Sequence, residues 1–177
     1  MKYISLLPVR LDVLQAREEL KGSRGWTLRP LRTRHPKSPH RECDDIWVRY
    51  QNGARREDGS FDCEWYDIAD ELPAIRNLCD AVTSFAEAHE VGGILITRIP
   101  AGKQVYPHAD TGWHAERYEK FAVQIAGNHK QAFCFDDGSI SPENGDVFTF
   151  NNQARHWVTN DSDEDRITLI CCIRRSH

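Results

Sequence analysis

The sequence of 177 residues lacks the features that mark a membrane or secreted protein. No apolar run approaches the roughly 20 residues that a membrane-spanning helix needs. The short apolar stretch at residues 4–9 is interrupted by Ser5 and Pro8. It has neither the long apolar centre nor the small-residue cleavage site of a signal peptide. The sequence therefore predicts a cytoplasmic protein with no membrane partner.

The sequence also lacks cysteine pairs in the C-x-x-C spacing, which argues against a thiolate zinc site as the explanation for its six cysteines. Cys171 and Cys172 are adjacent in a strand-like run, so their side chains should point to opposite faces. We expect reduced cysteines that pack as small hydrophobic residues. The formal charge of -4 is mild and gives no electrostatic case for a nucleic acid, although a local basic patch leaves that partner open.

The first half of the chain mixes helix and strand patterns. Residues 11–20 and 72–88 carry apolar residues at helical spacing, and the second stripe should pack on a sheet. Residues 45–50 indicate a strand, and Asn52-Gly53 and Asp58-Gly59 are turn signals. Residues 29–41 are basic and contain three prolines, which predicts an irregular loop that either contacts an anionic substrate or is simply solvated.

After Gly93 the pattern becomes a series of short β-rich runs separated by turn residues, at 94–99, 121–125, 132–135, 147–150, 157–159 and 167–173. Short strands at this spacing are typical of a sandwich or barrel. We predict one α+β domain over residues 1–177, mainly β. Residues 1–90 form a supporting region with N-terminal helices, and residues 91–175 form the barrel.

Two parts of the sequence predict a metal site. His108 and Asp110 are two residues apart, so their side chains point the same way if the segment is extended. His156 lies in a later strand-like segment, which a barrel can bring beside the first pair. Two histidines and one carboxylate on one face form a facial triad, which leaves positions of an octahedral iron(II) open.

Arg166 opens an otherwise apolar strand, where a charge needs a reason. Its guanidinium is suited to binding a carboxylate with two hydrogen bonds. The alternative is a strand-end arginine that pairs with one of the acids nearby in sequence, Asp161, Asp163, Glu164 or Asp165.

These segments occur in the order PHAD, ERYEKFAVQIAG, ENGDVFTF and NNQARHWVTNDSDEDRITLI. In this order and spacing the chain resembles the aspartyl/asparaginyl β-hydroxylase-like branch of the 2-oxoglutarate oxygenases. The resemblance covers roughly the last half of the chain, with a weaker match at HRECDDIWVRY. It implies a double-stranded β-helix (cupin-like jelly-roll) fold.

The resemblance also implies the roles of individual residues. His108, Asp110 and His156 match the metal ligands, and Arg166 matches the arginine that binds the distal carboxylate of 2-oxoglutarate. Thr168 follows on the same face and adds a hydroxyl to that cosubstrate site. Lys120 stands near a position where the family commonly has arginine, and we assign it to the cosubstrate site as well. Further pocket candidates are Tyr118, Gln124 and Asn160, with Trp113 and His114 at the entrance.

The activity implied is that of an iron(II)- and 2-oxoglutarate-dependent dioxygenase, which consumes O2 and hydroxylates an unactivated carbon. Its substrate would be a peptide side chain, an amino acid or another small molecule, and a nucleobase stays open. The competing hypotheses are a cupin-like metal-binding protein and another metalloenzyme on the same barrel, such as a zinc hydrolase or isomerase. Neither alternative needs Arg166. The remaining histidines have no pattern that assigns them a partner: His35, His40, His89, His129 and His177.

Overall fold

The computed structural model describes residues 1–176. Its strands are β1 (Ile4–Arg10), β2 (Asp44–Arg55), β3 (Phe61–Trp65), β4 (Ala88–Ile99), β5 (Gln104–His108), β6 (Glu119–Ala126), β7 (Gln131–Phe135), β8 (Gly138–Ile140), β9 (Asp146–Phe150), β10 (His156–Asn160) and β11 (Arg166–Arg175). Its helices are α1 (Leu14–Leu20), α2 (Pro73–Phe85) and α3 (Trp113–Arg117), with single 3-10 turns at Arg24–Thr27 and Asp67–Glu71.

The strands form two antiparallel sheets that face each other. The large sheet has the order β1-β9-β6-β11-β4-β2-β3, and the small sheet has the order β5-β10-β7-β8. Neighbours in space are mostly distant in sequence, as the jelly-roll topology requires. The predicted double-stranded β-helix, mainly β with helices at its side, is confirmed.

One face of the large sheet packs against the helices. Alternate residues of β6 and β11, such as Val123 and Leu169, are buried there with Ile75, Leu78 and Val82 of α2. Strand side chains alternate between the two faces, so the residues between them point the other way, into the barrel. The helix α2 thus covers the outer face of one sheet, as its apolar stripe predicts.

The interior between the sheets has its own apolar cluster, formed around Val105, Phe133, Phe148 and Val158. Aromatic rings dominate it, and Phe133 lies 4.7 Å from Phe150 between ring centroids. This packed cluster closes one part of the barrel. The polar interior residues of β6 and β11 lie on the inner face as well, and they form the site described below.

Some local predictions differ from the structure. The turn expected at Asn52-Gly53 is wrong, because both residues lie within β2. Gly53 has a φ of 92°, and the pairing with β3 shifts between Gln51 and Arg55, so the strand absorbs the irregularity instead of reversing. The turn at Asp58-Gly59 is present. The first helix begins only at Leu14, whose side chain is exposed.

Three strands of the first half join the large sheet. β1 pairs with β9, while β2 pairs with β4 and with β3. Residues 1–90 therefore contribute strands as well as helices, and the division at residue 90 stays a prediction. Residues 29–41 contain neither helix nor strand, as their prolines predict.

Cys171 packs in the outer cluster with Cys79, whereas Cys172 faces the interior, so the two neighbours do point to opposite faces. All six cysteines are free. None of the helices in residues 1–176 has the length and apolar character that crossing a bilayer requires.

Candidate metal centre and cosubstrate cavity

The two sheet strands β5 and β10 place the predicted histidines side by side. His108 ends β5 and pairs directly with His156, which opens β10. Asp110 follows β5 by two residues. One ligand atom from each of these three side chains lies within 4.8 Å of the other two, which is close enough to share one metal ion.

Hydrogen bonds orient both imidazoles. The Nδ1 atom of His108 lies 2.8 Å from the carbonyl oxygen of Tyr106, and Nδ1 of His156 lies 2.9 Å from that of Ala154. A carbonyl only accepts, so each Nδ1 carries the proton and each Nε2 keeps its lone pair. Metal-bound histidines typically use this arrangement. The Nε2 atom of His108 is also buried without a hydrogen-bond partner, as a metal ligand would be before binding.

Asp110 is held by Asn152, a residue that the sequence patterns did not single out. The Asp110 backbone N–H donates to the Asn152 carbonyl over 2.8 Å, and the Asn152 amide donates to Oδ2 of Asp110 over 3.1 Å. Burial alone would raise the pKa of the Asp110 carboxyl, but the nearby Lys120 charge and the hydrogen bond from Asn152 keep that pKa below its ordinary value. The carboxylate is therefore charged and available to a cation at neutral pH.

Arg166 points into the barrel and is only 3% exposed. Its Nη1 donates to the hydroxyl of Thr168 over 2.7 Å, and its Nη2 is buried without a partner. Within residues 1–176 no carboxylate forms an ion pair with it, so the alternative of a strand-end ion pair is wrong. Burial lowers the pKa of this guanidinium to about 10. A buried cation without a counterion is unfavourable, and an anionic ligand would relieve that cost.

Thr168 lies on the inner face two residues after Arg166, as predicted. Its hydroxyl accepts from Arg166 and lies 3.4 Å from the amide oxygen of Gln124. Lys120 is also buried on the inner face, where its Nζ donates to Sγ of Cys172 over 3.0 Å. In the part of the chain that the structure describes, Lys120 forms no ion pair.

One cavity of about 1230 Å³ connects these groups. His108, Asp110 and His156 line it, and so do Lys120, Arg166 and Thr168. Small-molecule sites usually occupy roughly 300–1,000 Å³, so this volume suits a cosubstrate together with part of a substrate. All six residues that the sequence assigned to the site thus share one space.

A family model described as aspartyl/asparaginyl beta-hydroxylase matches residues 17–176. The chain belongs to this family. The family predicted from its motifs, a hydroxylase family, is confirmed. A comparison with curated protein sequences gives no significant match.

Solved structures show the same fold at low sequence identity. A 2OG-Fe(II) oxygenase family oxidoreductase from Burkholderia pseudomallei has a TM-score of 0.63 and 16% identity, covering 98% of this chain and 84% of that one. A Trichoplax adhaerens prolyl hydroxylase in complex with a hypoxia inducible factor peptide fragment has a TM-score of 0.63 and 10% identity, covering 98% of this chain and 84% of that one. The collagen prolyl hydroxylase of Paramecium Bursaria Chlorella virus-1 has a TM-score of 0.55 and 14% identity, covering 99% of this chain and 97% of that one.

The hydroxylase has a buried polar network beside the candidate metal site that the sequence did not reveal. Arg32, from the basic loop, donates to both carboxylate oxygens of Asp45 over 2.7 and 3.0 Å, and to the hydroxyl of Thr97 over 2.6 Å. It also donates to Nε2 of His40 over 2.8 Å. The His40 ring lies 4.7 Å from that of His108, edge to face.

Burial and the nearby Arg32 charge keep the pKa of His40 far below its ordinary value, so this ring is neutral. It packs edge to face against the ring of His108. The loop around it is fixed to β5, because the Tyr106 N–H donates to the carbonyl of Pro39 over 2.9 Å. No spacing rule connects His40 with His108, so only the packing of the loop could identify it.

The other pocket candidates are divided. His114 lines the cavity from α3, and its Nε2 accepts from the Gly93 N–H over 2.9 Å. Burial lowers its pKa to about 3. Tyr118, Gln124 and Asn160 do not line this cavity: Tyr118 donates to Glu90, and the two amides bond to backbone carbonyls near the ends of strands.

The outer residues behave differently again. Trp113 packs near Phe61, with ring centroids 5.3 Å apart, and lines a neighbouring groove rather than the entrance. Among the histidines without an assigned partner, His35 is exposed and lines the cavity. His89 and His129 are exposed and lie away from the cavity, and His177 lies outside the described residues.

Proposed function

We propose that this hydroxylase holds iron(II) with His108, Asp110 and His156, and that it binds the distal carboxylate of 2-oxoglutarate with Arg166 and Thr168. In this proposal it hydroxylates an unactivated carbon of a peptide side chain, an amino acid or another small substrate. When bound, iron with 2-oxoglutarate and O2 supplies the oxidising power for that step.

The observation that carries the proposal is the environment of Arg166. A guanidinium that is 3% exposed and lacks a carboxylate partner shares a cavity with the three candidate ligands. A simple metal-binding barrel has no need for this unfavourable charge. A cosubstrate with a free carboxylate at its far end would complete the ion pair with two hydrogen bonds.

The donor set fits iron(II). Two neutral imidazole nitrogens and one carboxylate are the ligands of non-haem iron oxygenases, and the arrangement leaves positions for other molecules. The chain contributes the orientation of these groups through Tyr106, Ala154 and Asn152. Phe133 and Val158 of the interior cluster add apolar wall to the same cavity.

Lys120 stays a prediction for the cosubstrate site. Its Nζ contacts Cys172, six residues beyond Arg166 on β11, so the two cations lie at different depths of the cavity. Lysine offers a point charge without the planar fork of arginine, so any contact it makes is less directional.

A peptide is one of the substrates to test first. The Trichoplax adhaerens enzyme of similar fold is in complex with a peptide fragment, which supports a peptide for this chain by analogy of fold. Free amino acids and other small molecules belong in the same screen.

The direct test is the conversion of 2-oxoglutarate into succinate by the purified iron(II) form, which oxygenases of this type carry out slowly even without substrate. We expect succinate in the wild type and none in the variant His156→Ala. The control Trp157→Phe changes the next side chain of the same strand, which does not line the cavity, and should keep the activity. Absence of succinate, together with unchanged 2-oxoglutarate affinity in Arg166→Met, would favour a metal-binding protein without this chemistry.

A further inference from the structure

Three buried side-chain atoms have no hydrogen-bond partner in the part of the chain that the structure describes: Nε2 of His108, Nη2 of Arg166 and Nε1 of Trp47. All three residues line the same cavity. The proposed function supplies a partner for the first two, namely the metal and the distal carboxylate of 2-oxoglutarate. The indole of Trp47 has no counterpart in that scheme.

An unpaired indole N–H needs an explanation, because buried donors in native proteins are almost always satisfied. Trp47 is 8% exposed, so bulk water hardly reaches it. The contrast is Trp26, whose Nε1 donates to the carbonyl of Leu20 over 3.1 Å. The partly buried indole of Trp26 is thus paired, whereas the more deeply buried indole of Trp47 in the cavity wall has no partner within residues 1–176.

An irregularity in β2 gives Trp47 a polar aromatic neighbour on the cavity side. The pairing with β4 shifts between Trp47 and Arg49, so the strict alternation of faces is interrupted there. As a result Trp47 and Tyr50, three residues apart, both line the cavity, with their rings 4.5 Å apart. Burial raises the pKa of Tyr50 to about 12, so its hydroxyl stays a donor at neutral pH.

The charges around this wall favour an acceptor as its partner. The cavity lining includes the cations Arg32, Lys37, Lys120 and Arg166, while Asp110 is the one acidic residue in it. Arg32 is neutralised by Asp45. Lys37, Lys120 and Arg166 form no ion pair among residues 1–176, and the proposed function pairs only Arg166 with 2-oxoglutarate. A ligand that carries oxygen lone pairs suits this surface, whereas a cationic ligand does not.

We propose that the indole N–H of Trp47 donates a hydrogen bond to a carbonyl-type oxygen of the primary substrate, either an amide or a carboxylate, and thereby selects substrates that carry such a group near the reacting carbon. This inference rests on the proposed function. It makes Trp47 a specificity-determining residue, with Tyr50 packing beside the bound group.

The experiment observes the indole N–H groups directly in a protein labelled with 15N-tryptophan. Zinc(II) and N-oxalylglycine, an inert analogue of 2-oxoglutarate, occupy the metal and cosubstrate sites. The five tryptophans give five indole signals, and the variant Trp47→Phe identifies the one of interest. Three probes of similar shape are then titrated: isobutyramide, isobutyrate and isobutylamine.

We expect the Trp47 indole proton to move downfield with the amide or the carboxylate, and to stay in place with the amine, which cannot accept when protonated. The arm that responds tells which kind of oxygen the site prefers. Trp47→Phe should weaken that probe about fivefold, the effect of one hydrogen bond, while N-oxalylglycine binds as before. The control Trp26→Phe should change neither affinity.

A Trp47 signal that stays in place with all three probes up to their solubility limits would overturn the proposal, and so would equal probe affinity in Trp47→Phe. If that variant does not fold, replacing each of the other four tryptophans by phenylalanine assigns the Trp47 signal by elimination, and the wild-type titration still decides the outcome. Failure of the proposed function has a different signature, because N-oxalylglycine would then not bind to the zinc-loaded wild type at all.

Discussion

His108 and His156 face each other across the antiparallel pair of β5 and β10, with their ring centroids 4.4 Å apart. Directly opposed residues are the closest side-chain neighbours that a sheet can offer. A strand pair holds both rings at the candidate metal site more rigidly than loops would, and Asp110 lies only two residues beyond His108.

This arrangement predicts that each ligand is required for metal binding and none for folding. In His108→Ala, Asp110→Ala and His156→Ala we expect the loss of the stabilisation that a divalent metal gives the wild type, about 2.7 kcal/mol at a metal concentration 100 times the dissociation constant. Thermal unfolding with and without cobalt(II) measures it. His129→Ala, an exposed histidine, is the control. A variant of the three that still gains full stability from metal would contradict the assignment.

Arg166 should matter for 2-oxoglutarate and not for the metal. Losing a charge-assisted hydrogen bond costs about 1.5–3 kcal/mol, so Arg166→Met should weaken 2-oxoglutarate by roughly one to two decades. Arg166→Lys should be intermediate, because it keeps the charge and loses the fork. Calorimetric titration of the metal-loaded protein without oxygen measures both. Arg155→Met, which removes an exposed arginine paired with Asp136, should bind normally.

Arg166→Met should leave the ligand-free protein at least as stable as the wild type, because it removes a buried charge without a counterion. Urea unfolding without 2-oxoglutarate compares the two. A large loss of stability in Arg166→Met would instead show that the arginine serves the fold.

Removing Arg32 and removing Asp45 from their ion pair should cost different amounts of stability. The Asp45 side chain is fully buried, whereas that of Arg32 is 26% exposed and can turn to water when its partner is lost. Arg32→Met should therefore destabilise the protein more than Asp45→Asn does. Its cost should be about 3–5 kcal/mol, that of a broken buried ion pair. Adding Asp45→Asn to Arg32→Met should recover part of the loss. Urea denaturation of the three variants checks the order, and equal costs would argue against it.

Cys43 predicts a loss of stability at alkaline pH. Burial raises the pKa of this thiol from 9.0 to about 12, so between these values the folded state keeps a proton that the unfolded state releases. The free energy of unfolding then falls as the pH rises above 9, and at pH 10 this thiol lowers it by about 1.4 kcal/mol.

The variant Cys43→Ala should show a smaller difference in unfolding free energy between pH 8 and pH 10 than the wild type. Its packing defect does not depend on pH and cancels in that comparison. Cys134→Ala, at a thiol whose pKa burial also raises, serves as a second thiol variant. An unchanged difference in Cys43→Ala would mean that the thiol is already ionised or exposed.

The sequence by itself identified the candidate residues of the site. His108 and Asp110 are close because a two-residue spacing returns a side chain to the same face, and Arg166 stands out because it opens an apolar strand. The short β-rich runs indicated a sandwich or barrel, and the family resemblance of the motifs implied the double-stranded β-helix. These are local patterns, and the backbone geometry of a strand converts them directly into positions.

Only the tertiary structure decided which residues support that site. Asn152 anchors Asp110 through a loop contact, and His40 reaches His108 because the basic loop folds back along β5. Trp47 and Tyr50 share the cavity because the pairing of β2 shifts, which alternation does not predict. Each of these contacts joins segments far apart in the chain or depends on a local irregularity. Their geometry is set by packing, which no single stretch of sequence contains.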